Sequence, residues 1–373
     1  MKPGKKADSP LTMQIQKKFR VRCFVMANTF QAEKYRDYTM KIRALLPELP
    51  MVCGSFFRAI ESQTSVLTRY AYAIDLRGFF QFAVAQDDLF PGRDVPSLTV
   101  VDLGKVKAYH IELYLNEVSL YEKDGRELVN SQQAKARKLS TLRSFFKYLH
   151  KQELLPTNVA ALVDIPKLHE KAIVRLEPNE VADLLDLAEN GEGLSERQKK
   201  YHSMTKTRDV AILTLFLGTG IRISELVGID LNDIDFDNDA FVVTRKGGSE
   251  DILSFGDEVH RALADYYQLR TDQKPLPGHE NALFLSLQMR RITARAVENL
   301  VKKYAKLAAP LKKITPHKLR STYGTMLYHE TEDIYLVADV LGHKDVNTTR
   351  KHYAATSEEH KRIAAKKIRL RDD

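Results

Sequence analysis

The sequence predicts a mainly α-helical protein in two parts: an all-α first half, then an α+β second half with a small antiparallel sheet. Three observations predict it. Apolar residues recur at helical spacing along most of the chain, the period changes to two only over residues 233–255, and no strand pattern precedes residue 166. The length of 373 residues exceeds one ordinary core and fits two domains with a tail. A hydrophobic share of 43% and a charged share of 29% are those of a soluble globular chain. No run approaches 18 uninterrupted apolar residues, so no membrane-spanning helix is expected.

Each element has its own signal. Residues 1–11 carry Pro3, Gly4 and Pro10 among lysines and read as disordered. Residues 12–47 mix basic and apolar residues and read as partly helical, ending at Pro47 and Pro50. A helix over 62–86 places Tyr72, Leu76, Phe79, Phe80 and Ala83 on one face, and Pro91, Gly92 and Pro96 follow it. A second helix covers 103–120. A third starts at Ser131, a good N-cap, and runs to 151 with a stripe of Leu139, Leu142, Phe146 and Leu149. Lys135, Arg137, Lys138 and Arg143 ride mostly away from that stripe. The segment IPKLHEKAIVRL (165–176) reads as a linker after Pro166. The helix after Glu177-Pro178 buries Val181, Leu184, Leu185 and Ala188. Residues 190–206 are polar and read as an extended connection, and 211–217 as a buried helix ending at Gly218-Thr219-Gly220. Residues 233–255 alternate and turn at Asn238-Asp239 and Gly247-Gly248, the pattern of a small antiparallel sheet. Helices follow, one of them with Val297, Leu300, Val301, Tyr304 and Ala308 on a face.

The net charge of +9 is unevenly spread. Residues 1–43 hold eleven Lys and Arg against three Asp and Glu, and the remainder is close to neutral. A basic arm on a neutral body suits a polyanionic partner, and equally a solvated arm. Cys23 and Cys53 show no metal-ligand spacing and are expected as free thiols in a reducing cytoplasm. The N-terminus has no apolar stretch of signal-peptide type, which points the same way.

Chemistry concentrates in four strings: GTGIRISEL (218–226), VTRKGG (243–248), TPHKLRSTYGT (315–325) and LGHKDVNTTRKHY (341–353). They carry Arg222, Lys246, His317, Arg320, His343 and Tyr353. Five of these donate protons to an anion and the sixth is a phenol. No Asp, Glu or Cys completes a metal site among them, so no metal and no cofactor is expected. Cleaving a phosphodiester without a metal requires neutralised oxygens, an activated attacker and a protonated leaving oxygen. Arg222 and Arg320 suit the oxygens, because a guanidinium fork holds two of them and stays charged. Lys246, on a hairpin turn, suits the leaving oxygen. His317 suits the tyrosine proton, His343 an equatorial oxygen, and Tyr353 the attack on phosphorus. Each also has an ordinary reading: Arg222 as a cap paired with Glu225, Lys246 as a solvated turn residue, His317 as a structural histidine, His343 as a C-terminal cap, Tyr353 as one of 16 tyrosines.

In this order the strings closely resemble the catalytic domain of the tyrosine recombinases, the integrase family of site-specific DNA recombinases. That family has an Arg in G-x-R-x-S-E-L, here Arg222, a hairpin Lys, here Lys246, then H-x-x-R, here His317 and Arg320. It continues with L-G-H, here His343, and a nucleophile nine or ten residues on, here Tyr353. The resemblance implies a basic extension over 1–47, an all-α core-binding domain over 48–166, a linker over 167–176 and a catalytic domain over 177–373. It implies a C-shaped clamp on double-stranded DNA. The string at 130–149 resembles the core-binding helix, which would set Lys135, Arg137 and Lys138 on phosphates. The implied chemistry is a 3′-phosphotyrosine intermediate, then a Holliday junction held by four protomers on two DNA sites.

VTRKGG, ALFLS (282–286) and the polar stretch at 190–206 look most like the Xer branch that works as a single recombinase. Residues 357–370 would form a tail helix that docks on a neighbour. The implied role is chromosome dimer resolution or mobile-element integration, with an accessory or DNA-translocase partner left open. The sequence departs from the family at Ser321-Thr322-Tyr323, at Ser249-Glu250-Asp251 where basic residues are common, and in a His343-to-Tyr353 spacing one residue longer than in some members. Two alternatives share parts of the pattern: a type IB topoisomerase, and a DNA-binding protein that has lost the chemistry.

Overall fold

The computed structural model describes residues 30–123, 126–166, 174–245, 248–343, 345, 346 and 349, without the side chains of 121–128. The chain divides into two compact units, Met1–Glu170 and Lys171–Asp373. It is mainly helical with a small three-stranded antiparallel sheet.

In the first unit, α1 (Phe30–Leu45), α2 (Val52–Ala59), α3 (Val66–Val84), α4 (Val100–Leu103) and α5 (Ala108–Glu117) precede a hairpin, β1 (Leu120–Lys123) and β2 (Arg126–Val129). Then comes α6 (Gln132–Lys151). Ser65 and Ser131 cap α3 and α6, each accepting a backbone N–H at 3.1 and 3.2 Å. The predicted stripes are where the core lies. Leu76, Phe79, Phe80 and Ala83 of α3 meet Leu139, Leu142, Phe146 and Leu149 of α6, all fully buried or nearly so, and Tyr72 packs partly buried at the edge. Phe145 joins them edge-on to Phe56 and Phe80. Leu45 at the end of α1 also enters this core, so the last turns of the basic arm belong to the folded unit.

Two expectations are corrected here. The helix expected over 103–120 is shorter: Leu103 is the last residue of α4, which Thr99 and Asp102 box at its start and Gly104 ends, and the helix proper is α5, Ala108–Glu117. The first half is also not purely helical. β1 and β2 pair antiparallel from Leu120↔Val129 to Lys123↔Arg126. The residues between the strands are Asp124-Gly125, the dipeptide that favours a two-residue hairpin turn. The flanking strands are short and charged, which hid the signal.

A buried carboxylate pins α3 to α6. Asp75 is 1% exposed, accepts both Nη groups of Arg137, takes Thr141 Oγ1 at 2.9 Å and lies 3.5 Å from Lys138 Nζ.

The second unit runs α7 (Pro178–Asn190), α8 (Glu196–Thr219), α9 (Ile223–Leu226), β3 (Ile234–Asp235), β4 (Ala240–Thr244) and β5 (Glu250–Ser254). Then follow α10 (Asp257–Thr271), α11 (Ala294–Ala308), α12 (Pro316–Thr331) and α13 (Ile334–Val340). The connection expected over 190–206 is corrected: from Glu196 it is the first part of α8, a 24-residue helix. Ser195 and Gln198 cap it reciprocally, and His202 turns inward to the Ala188 carbonyl at 2.8 Å. Its buried face is polar (His202, Thr205, Asp209), so apolar periodicity could not find it. The sheet is ordered β3-β4-β5, antiparallel throughout, with Asp239 and Gly248 at positive φ in the two turns. Its middle strand buries Ala240 through Val243 without alternation, because it is covered on both faces. On α11, Val297, Leu300, Val301 and Tyr304 are buried as expected. No described helix is long and apolar enough to cross a membrane.

Candidate active site

The site is built where α8 ends. Gly220 stops that helix at φ 61°, a left-handed conformation that suits glycine, and a Cβ there would meet Tyr323 Cδ1 at 2.4 Å. Burial of Tyr323 beneath this turn pushes its phenol pKa up. The turn delivers Arg222 as the N-cap of α9. Arg222 takes the capping role that its sequence position allowed. Its backbone N–H and its Nη1 bond Glu225 at 2.9 and 2.8 Å. Its other arm, Nη2, reaches the carbonyls of Leu341 at 3.2 Å and Gly342 at 3.0 Å.

Arg320 arrives from α12. Thr315 and Pro316 start that helix, and the i, i+3 spacing of His317 and Arg320 puts both on one side of its first turns. Arg320 is 3% exposed. Its Nη1 bonds the Gly220 carbonyl at 2.5 Å and its Nη2 bonds the Leu341 carbonyl. Two guanidiniums from helices far apart in sequence therefore share one carbonyl oxygen, two residues before His343. His343 donates its backbone N–H to Ala338 at 2.9 Å, and its Nδ1 pairs with the buried Thr349 hydroxyl at 2.8 Å. That bond helps to fix the orientation of the ring. His317 is exposed at the start of α12. Arg222 is 31% exposed on its side chain, so one edge of the cationic cluster faces solvent.

Two further side chains enter the site: Glu225, which the sequence offered as a partner for Arg222, and Arg245, which it did not assign. Glu225, 2% exposed on its side chain, is shared by Arg222 and Arg245. Arg245 sits between β4 and the β4–β5 turn, bonded to Glu225, Asp251 and the Val340 carbonyl. Gly342, at φ 58°, admits this: a Cβ there would come 3.0 Å from Arg245 Cζ. A charge ending a buried strand, six residues before an Asp across the turn, was the available signal. Lys246 and Tyr353 lie outside the described residues, as do residues 357–370.

In the first unit, each expected DNA-contact residue has an internal partner. Lys135 Nζ donates to Ser119 Oγ at 2.9 Å, and Arg137 and Lys138 attend Asp75. Arg137 keeps 50% of its side chain exposed, and Lys138 keeps 17%. Among the described residues no group of three or more His, Cys, Asp and Glu is placed to hold a metal ion.

The phage integrase family pattern matches residues 174–360, which spans the whole cluster. Tyrosine recombinase XerC of Thermodesulfovibrio yellowstonii is 34% identical over 286 residues, covering 76% of this chain and 84% of that protein. This chain belongs to the tyrosine recombinases, in their Xer branch. Tyrosine recombinase XerS of Streptococcus agalactiae is likewise 34% identical, over 67% of this chain and 75% of its own. The fold matches the XerH site-specific recombinase bound to palindromic difH substrate, at a TM-score of 0.62 and 16% identity, covering 96% of this chain and 95% of that one. The recombinase is a DNA strand-transferase that acts through a tyrosine, and its function is site-specific recombination. These relatives lend no support to the topoisomerase or silent alternatives.

Proposed function

We propose that this recombinase cleaves one strand at a time with Tyr353 and rejoins it to a partner duplex. The shared Leu341 carbonyl carries the reading, because it gathers Arg222, Arg320 and the His343 segment at one point. Arg222 and Arg320 neutralise the non-bridging oxygens of the scissile phosphate, and His343 donates to one of them. His317 takes the phenol proton as the Tyr353 oxygen bonds to phosphorus. The P–O5′ bond breaks, and the leaving oxygen takes its proton from Lys246. The 3′-phosphotyrosine keeps the energy of the broken linkage, so religation needs no ATP. Metal independence is consistent with the family.

Four copies on two DNA sites, working as a single recombinase in the cytoplasm, complete the proposal. The tail over 357–370 links neighbours. Arg137, with half of its side chain exposed, is the best placed of the three core-binding cations to reach a phosphate. The role is chromosome dimer resolution or mobile-element integration.

The test is covalent capture on host DNA: the native protein is denatured in place, the DNA is fragmented, and the attached pieces are sequenced. Enrichment of one or a few related sites, and resolution of a plasmid bearing two copies of a recovered site, is the expected result. Adducts scattered evenly, with relaxation of any supercoiled plasmid, would overturn it in favour of a topoisomerase.

A further inference from the structure

We propose that Arg245 is a positioning residue for Arg222: it holds both of the places that the Arg222 guanidinium grips, and it shares the charge of Glu225 so that Arg222 keeps its own for a phosphate. The inference rests on the role given to Arg222 above.

Arg222 grips the protein at two places. Nη1 bonds Glu225 Oε1 at 2.8 Å, and Nη2 reaches the carbonyls of Leu341 at 3.2 Å and Gly342 at 3.0 Å. Arg245 takes hold of the same two places. Its Nη1 meets both Glu225 oxygens, at 3.4 and 3.3 Å. Its Nη2 donates at 3.2 Å to the carbonyl of Val340, the residue before Leu341. Gly342 passes close against this guanidinium, where a Cβ would lie 3.0 Å from Cζ and 3.2 Å from Nε. Arg245 is itself fastened. Its backbone N–H donates to the Ser249 carbonyl at 2.7 Å, and its Nε to Asp251 Oδ2 at 2.9 Å. One planar fork thus ties the acid on α9 and the chain after α13 to the β4–β5 hairpin.

Charge argues the same way. The Glu225 side chain is 2% exposed, so protein donors must meet its negative charge. With one cationic partner, the carboxylate would cancel Arg222. With two guanidiniums on one carboxylate, the trio keeps a net positive charge. Arg245 is the deeper of the two, at 9% side-chain exposure against 31% for Arg222, so the surplus faces solvent through Arg222.

The rival reading is a direct phosphate contact by Arg245. It fits poorly, since the fork is buried and spent on Glu225, Asp251 and the Val340 carbonyl.

The experiment uses a duplex carrying a recovered site, with the scissile phosphate either normal or bearing methyl in place of one non-bridging oxygen. The methyl group removes the negative charge, so the neutral linkage asks less of a cation. Arg245→Gln is expected to slow single-turnover cleavage of the normal linkage by about 10²-fold and of the neutral linkage by less than about tenfold, with DNA binding retained. Arg245→Lys, which keeps the charge but not the fork, is expected to show a smaller loss with the same relief, and it carries the test should Arg245→Gln fail to fold. Arg222→Ala must show relief as well. If it does and the Arg245 variants are slowed equally on both linkages, or on neither, the inference is overturned alone. If Arg222→Ala is not relieved, the role given to Arg222 falls and takes the inference with it. Arg245→Lys is then placed in Arg222→Ala, where Glu225 still has a cation. No further loss is expected there, because the two residues act as one unit. A further loss as large as in the native protein would make Arg245 an independent contact and would overturn the proposal.

Discussion

Arg222→Ala is expected to lower strand cleavage by about 10³-fold while DNA affinity falls by less than about tenfold. The magnitude is that of a preorganised donor facing charge that grows in the transition state. The local structure explains why the fold should survive. The backbone N–H at 222 still donates to Glu225, and Glu225 still has Arg245. What disappears is the arm that reaches Leu341 and Gly342 and the exposed edge beside it. Single-turnover cleavage on a nicked substrate gives the first quantity, and filter binding at fixed salt gives the second. Equal losses in both would make Arg222 a docking residue and would remove the main support for the proposed chemistry.

Asp209→Ala is expected to destabilise the protein by about 3–5 kcal/mol. Asp209 is 1% exposed. Arg208 Nη2 meets it at 2.7 Å, Lys303 Nζ at 3.0 Å, the Tyr304 hydroxyl at 3.0 Å and Thr205 Oγ1 at 3.1 Å. Burial and this carboxylate together push the Tyr304 phenol well above its usual pKa. Removing the acid strands two cations and two hydroxyls in a closed space. It also unpins α8 from α11, and α8 is the helix whose C-terminal turn carries Arg222. Denaturant unfolding followed by circular dichroism reads the cost. A change below about 1 kcal/mol would show that the cluster is decoration.

Much of this protein was legible as sequence, and the exceptions share a cause. The stripes on α3, α6 and α11 were readable because each buries apolar residues at helical spacing against an apolar core. The sheet was readable from its turns, where Asp239 and Gly248 take the positive φ that Asn-Asp and Gly-Gly suggested. The misses are polar. The first part of α8 is held by His202, Thr205 and Asp209, which carry no apolar period. Asp75 and Glu225 are acids that sequence would place outside, yet both are buried because arginines reach them from distant segments. Arg245 was passed over for its neighbour Lys246, since a charge in a turn normally points to water. At the site, residue types were legible through family resemblance, but their meeting on the Leu341 carbonyl was not. Its Arg222–Leu341 arm joins residues 119 positions apart, and the meeting exists only once α8, α12 and α13 pack.

The central claim is that a phenol takes the DNA strand. Native protein is trapped on a nicked duplex carrying a recovered site, digested with protease and nuclease, and the nucleotide-bearing peptide is sequenced by mass spectrometry. The added mass is predicted on Tyr353, and Tyr353→Phe is predicted to bind the same duplex without forming the adduct. An added mass on any other residue, or an adduct that survives in Tyr353→Phe, would contradict the account.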